Sequence, residues 1–139
     1  MSQVTQMVIT NSTVTLNGAL SNFVGIKRWD IDGSSGPDLI DASAWTGDGV
    51  DLNGLGGDDV IKGLRSIDSL NGGAGNDDIY AGPRDERARD TVVGGPGKDF
   101  VQVFNRPAAK DVVNCGKDRD RVVADSEGVL SGCERKRRR

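Results

Sequence analysis

Between residues 38 and 122 an apolar residue recurs two places after an aspartate. The matches are Asp38-Leu39-Ile40, Asp48-Gly49-Val50, Asp58-Asp59-Val60, Asp68-Ser69-Leu70, Asp77-Asp78-Ile79, Asp90-Thr91-Val92, Asp99-Phe100-Val101, Asp111-Val112-Val113 and Asp120-Arg121-Val122. Their aspartates are spaced 10, 10, 10, 9, 13, 9, 12 and 9 residues apart. A near-constant period of short units is the mark of a repeat architecture. One inward apolar residue per unit predicts short strands whose other residues face out or enter the next turn.

The units alternate in kind. Every second one follows a glycine-rich turn: 33–37, 53–57, 72–76, 94–98 and, with fewer glycines, 115–119. The others follow stretches such as Leu64-Arg65-Ser66-Ile67. Two units therefore make one coil of strand, turn, strand, turn. The expected fold is all-β, a parallel β-roll of about five two-strand coils. One inward column is Ile40, Val60, Ile79, Val101 and Val122; the other is Val50, Leu70, Val92 and Val113. A single coil buries little, so stability comes from stacking. The longer intervals hold insertions, Gly82-Pro83-Arg84-Asp85-Glu86-Arg87 and Asn105-Arg106-Pro107-Ala108, both on the edge without turn glycines.

The flanks read as caps. Val4/Gln6/Val8 and Val14/Leu16 alternate, Asn17-Gly18 reads as a turn, and Phe23, Val24, Ile26, Trp29 and Ile31 follow. Two or three strands here would cover the open end of the stack. The expected layout is one domain over 1–134, with capping strands in 1–31, coils in 32–124, a C-terminal cap in 125–134 and a basic tail in 135–139.

Composition sharpens this. The chain has 139 residues, 20 Gly, and 18 Asp against 3 Glu. Asp competes with helical backbone and Glu does not, so the imbalance argues against helices. With no His, imidazole ligands and the usual Ser-His or Cys-His pairs are excluded. No apolar run is long enough to span a membrane as a helix, and Met1 to Thr10 does not read as a signal peptide. The net charge is −3, but Arg135, Lys136, Arg137, Arg138 and Arg139 supply +5, which leaves −8 on residues 1–134. Such a body repels nucleic acid and attracts cations. The basic run reads as a solvated, disordered end.

The turns carry the chemistry. Gly72 to Tyr80 and Gly94 to Gln102 read Gly-Gly-x-Gly-x-Asp-x-(apolar)-x, and Asn53 to Ile61 lacks only the first Gly. This pattern resembles the nonapeptide of the RTX, or hemolysin-type, calcium-binding family. The resemblance covers roughly residues 33–123. It implies turns that aim carbonyls at calcium, with the sixth-position Asp adding carboxylate oxygens. Calcium takes six to eight hard oxygen ligands. The stack is expected to set Asp58 over Asp38, then Asp77, Asp99 and Asp120, with calcium balancing the like charges. The expected ligand set is Asp38, Gly54, Gly56, Asp58, Gly73, Gly75, Asp77, Gly95, Gly97, Asp99 and Asp120. The pairs Asp58/Asp77 and Asp77/Asp99 join the best turns. Asp48, Asp68, Asp90 and Asp111 lack turn glycines and are expected to cap turns instead. An EF-hand over Asp30, Asp32 and Asp41 fails, because Ser35 stands where its glycine belongs. Gly97-Lys98-Asp99 is no phosphate-binding loop.

Cys115 and Cys133 flank the last unit in a layout that resembles the closing segment of hemolysin-type repeat proteins. That resemblance implies a Cys115–Cys133 disulfide cap, with two buried thiols or a metal pair as alternatives. A disulfide and calcium together imply an extracellular module, secreted or on a cell surface. The function expected is a non-enzymatic calcium-binding β-roll that folds on binding the ion, as a monomer or part of a larger chain. The alternative is a calcium-dependent adhesion or carbohydrate-binding module using the insertion edge, through Arg84, Asp85, Arg87, Arg106, Trp45 and Tyr80.

Overall fold

Alternation of apolar and polar residues, with a turn every few residues, leaves the chain no element longer than a short strand. In a computed structural model, residues 5–10, 13–16, 19–22, 27–82, 88–105 and 108–138 are described; they hold strands and turns and no helix. The strands are β1 (Thr5–Thr10), β2 (Thr13–Leu16), β3 (Ala19–Asn22), β4 (Trp29–Ser34), β5 (Asp38–Ala44), β6 (Val50–Leu55), β7 (Val60–Lys62) and β8 (Ser69–Asn71). They continue as β9 (Asp78–Tyr80), β10 (Thr91–Pro96), β11 (Phe100–Val103), β12 (Val112–Lys117), β13 (Arg121–Ala124), β14 (Val129–Ser131) and β15 (Arg135–Arg138).

These strands form two sheets, in the orders β15-β13-β11-β9-β7-β5-β1-β2-β3 and β14-β12-β10-β8-β6-β4. From β4 onward the chain alternates between the sheets, and every pairing among these strands is parallel. The result is the expected solenoid of about five coils. β1 pairs with β5 in parallel, and β2 and β3 extend that sheet as an antiparallel meander. The Asn17-Gly18 turn and Phe23 to Ile26 lie outside the described residues.

The core is the space between the sheets, and it corrects two positions. On the nine-stranded side the buried column is Ile40, Ile61, Ile79, Val101 and Val122, in direct register. Val60 sits one residue away, half-buried on the outer face. On the six-stranded side the column is Ile31, Leu52, Leu70, Val92 and Val113, so Leu52 takes the place expected for Val50. Val50 is itself buried, two residues upstream in the same inward phase. Side chains alternate faces along a strand, so a one-residue slip exchanges core for solvent. The slip arises because Asp58-Asp59-Val60-Ile61 satisfies the same template in two frames.

A third correction concerns the basic run. Arg135–Arg138 form β15, paired in parallel with β13, so these residues are an ordered edge strand and not a loose end. Cys115 and Cys133 form the disulfide, and it fastens the turn after β12 to the segment after β14.

Candidate metal centre

The turns between the six-stranded and nine-stranded sheets make one edge of the roll, and a column of aspartates runs along it. The Asp38 N–H donates to Oδ1 of Asp59 at 2.8 Å. Asp59 N–H donates to Asp77 Oδ1, Asp77 N–H to Asp99 Oδ1, and Asp99 N–H to Asp120 Oδ1, each at 2.9 Å. Each carboxylate thus holds the backbone of the coil before it. All five aspartates are buried, at 1–2% exposure.

Asp59 therefore stands where Asp58 was expected. Asp58 is exposed and belongs to an outer ladder, accepting from the N–H and Nδ2 of Asn76, whose Oδ1 in turn accepts the Lys98 N–H. The repeat frame shifts with it. Gly54, Gly72 and Gly94 share the first position, and Leu55, Gly73, Gly95 and Gly116 the second. Leu55 holds the second position with φ of 71°, and Asp118 holds the fourth, equivalent to Gly57, Gly75 and Gly97, with φ of 85°. Both pay the steric cost that glycine avoids.

The second carboxylate oxygens define the edge. Oδ2 of Asp59, Asp77, Asp99 and Asp120 is buried with no hydrogen-bond partner. At Gly54 a side chain would overlap both Asp59 Oδ2 and the carbonyl oxygen of Gly72, one coil on. The same holds at Gly72 for Asp77 Oδ2 and Gly94 O, and at Gly94 for Asp99 Oδ2 and Cys115 O. Two acceptors, one charged, converge there without a donor. In the first coil the Ser34 N–H fills this role by donating to Asp38 Oδ2. At Gly73 the corresponding N–H donates instead to Gly94 O.

Burial pushes the Asp59 carboxyl up to about 7; the Asp38 N–H opposes this, and the neighbouring Asp77, Asp38 and Asp58 carboxylates add to it. Asp99 is likewise pushed up to about 7, by burial first and then by Asp77, Asp120 and Asp118, against the Asp77 N–H. Asp77 and Asp120 are raised mainly by burial. The stack strains against its own charge and would hold it best with a cation present. Oxygen-only donors, carboxylate and carbonyl, suit a hard ion such as calcium. Among the described residues no three acidic or thiol side chains converge on one point, so main-chain carbonyls must complete any ligand set.

The opposite edge is wired differently. Asp68, Asp90 and Asp111 stack, with Asp68 N–H on Asp90 Oδ1 and Asp90 N–H on Asp111 Oδ1. Asp48 is not in this column; the Val50 N–H donates to Asp68 Oδ1, so Val50 occupies the register of the aspartate. Asp68 Oδ2 accepts the Leu64 N–H at 2.7 Å, and Asp111 Oδ2 accepts Nδ2 of Asn105 at 3.0 Å. At Asp68 and Asp111 protein donors therefore serve both oxygens. Leu64 and Asn105, both buried, escaped sequence reading because neither carries the repeat signature. The insertion residues 83–87 and 106–107, with Arg84, Asp85, Arg87 and Arg106, lie outside the described residues. Trp45, expected on the surface, is 5% exposed and packs edge-on against Trp29.

A parallel roll with stacked aspartates on a glycine-lined edge defines a class, the repetitive metal-binding solenoids. Within it, residues 53–83 match the family model of the RTX calcium-binding nonapeptide repeat (4 copies), so this stretch carries repeats of that type. Repeats of that family are structural or binding elements. No curated protein and no solved structure gives a significant match to this chain. No helix among the described residues is long and apolar enough to cross a membrane.

Proposed function

We propose that the chain is an extracellular module whose folding is driven by calcium bound along its glycine edge and along that edge alone. The observation that carries this is the set of buried Oδ2 atoms on Asp59, Asp77, Asp99 and Asp120, three of them set against a first-position glycine and a carbonyl of the next coil. The ligands are Asp59, Asp77, Asp99 and Asp120 with carbonyl oxygens of the same turns, and Asp38 closes the row. Asp59 takes the role that a plain reading of the repeat gives to Asp58. The ion supplies the positive charge that stacked carboxylates lack, and metal binding and folding are then one equilibrium. The Cys115–Cys133 disulfide suits an oxidising compartment, where millimolar calcium also suits modules of modest affinity.

Circular dichroism with and without a chelator, paired with calorimetric counting of calcium, tests this reading. The folded spectrum is expected to be lost on chelation and regained on adding calcium. An unchanged folded spectrum in chelator, with no heat on adding calcium, sinks it.

A further inference from the structure

The outer face of the nine-stranded sheet carries a groove where it meets the turns of the second edge. It consists of two adjoining cavities of about 390 and 210 Å³ that share Ser43 and Arg65. The larger is also lined by Lys62, Tyr80 and Gln102, and the smaller by Trp45. Volumes of this size match small-ligand sites. Neither cavity has an acidic lining residue among the described residues, although acids outnumber bases in the chain.

The donors are fixed in place. Lys62 Nζ is tethered to Asp41 Oδ2 at 3.0 Å, which engages one of its three donors and leaves two. The Tyr80 ring is held edge-on against Phe100, centroids 5.8 Å apart, and Arg121 covers Phe100 in turn. Trp45 is 95% buried, and its Nε1–H has no acceptor. A buried donor left unmade costs free energy that a ligand oxygen would recover. Gly47 leaves the indole uncovered, since any side chain there would overlap it.

We propose that this groove binds an acidic oligosaccharide, with a carboxylate or sulfate at Lys62 and Arg65, a ring against Tyr80 and a hydroxyl accepting from Trp45 Nε1. Two connected cavities suit two linked sugar rings, and Ser43 and Gln102 supply the mixed donors and acceptors that hydroxyls require. The site is independent of the calcium edge, which lies on the other side of the strands.

Calorimetry and NMR at one saturating calcium concentration test it, with trigalacturonate, its methyl ester, a sulfated disaccharide and hexaglutamate as probes. Trigalacturonate or the sulfated disaccharide is expected to bind and to shift the Trp45 Nε1–H resonance; which binds tighter identifies the anion. The methyl ester, Lys62→Ala and Tyr80→Ala should each weaken trigalacturonate binding by roughly tenfold or more, the scale of one charge-assisted contact. Calcium stoichiometry should be unchanged in both variants, which separates this site from the calcium reading. Silence from both acidic sugars, equal binding of the methyl ester, or equal binding of hexaglutamate overturns the proposal.

Discussion

The Asp77 N–H donates to Asp99 Oδ1 at 2.9 Å, while Oδ2 of the same Asp99 is buried without a donor. One oxygen is committed to the fold and the other is open to a cation. The register that makes this so also makes Asp59, and not Asp58, a member of the column. Asp59→Ala should therefore lose calcium and raise the calcium needed for folding at least about tenfold, as expected for removing one charged ligand. Asp58→Ala, in the exposed ladder, should titrate like the parent. Calorimetry on both variants decides, and equal losses would refute the register argument.

Leu55 adopts φ of 71° at 47% exposure, in a position where Gly73 and Gly95 serve neighbouring coils. A side chain in this region costs about 1–3 kcal/mol. Leu55→Gly should then raise stability in calcium by about 1 kcal/mol, since the added freedom of unfolded glycine offsets part of the relief. Urea denaturation measures it; a lower midpoint in the variant contradicts the strain.

The Cys115–Cys133 bridge closes a loop with a sequence separation of 18. Chain entropy gives about 3 kcal/mol for a loop of that size. A Cys115→Ser/Cys133→Ser variant should lose about that much in urea melts at saturating calcium and should keep its calcium stoichiometry through Asp59, Asp77 and Asp99. Loss of all calcium binding would make the bridge a condition of the fold and not a fastening at one end.

On the second edge, burial pushes Asp68 up to about 7 and Asp111 up to about 6, each against backbone N–H groups that pull the other way. Both lie above the ordinary carboxylate value of 3.8, so between these limits the folded state holds more protons than the unfolded state. Without calcium, stability from these groups falls as pH rises through about 6 to 7, and it changes little more below the unfolded value. Any folded fraction that persists in chelator should be larger at pH near 5 than near 8, with a shallower dependence in Asp68→Asn. Ellipticity followed across that range checks the sign, and a fraction that grows toward high pH contradicts it.

Much of this was legible in the sequence because coil stacking repeats one local rule. Ile40, Ile79, Val101 and Val122 fall in one column because each stands two places after its Asp, and the aspartates at 38, 77, 99 and 120 fall with them. The rule failed where the local signal was degenerate. Asp58 and Asp59 are each followed two places later by an apolar residue, and only pairing with Asp38 and Asp77 chooses between them. Asp48 fits the rule as well as Asp68 does, yet the turn over Trp45 to Gly49 sets Val50 in the aspartate register. Trp45 looked like a surface aromatic because its neighbours are polar, but it packs on Trp29, from the preceding strand. Such choices are made by contacts between coils, which a single repeat does not encode.

A parallel stack is a template for its own continuation, because the last strand offers unpaired backbone to any similar strand. Here the last strand of the nine-stranded sheet is β15, and the column that runs through Val101 and Val122 meets Lys136 there, with Arg138 in register with Ala124. A second molecule docking end to end would have to lay its own apolar rung on a lysine and an arginine. The same fold that needs repetition for stability is thereby kept from becoming a fibre: growth stops where the rung chemistry changes from valine to ammonium.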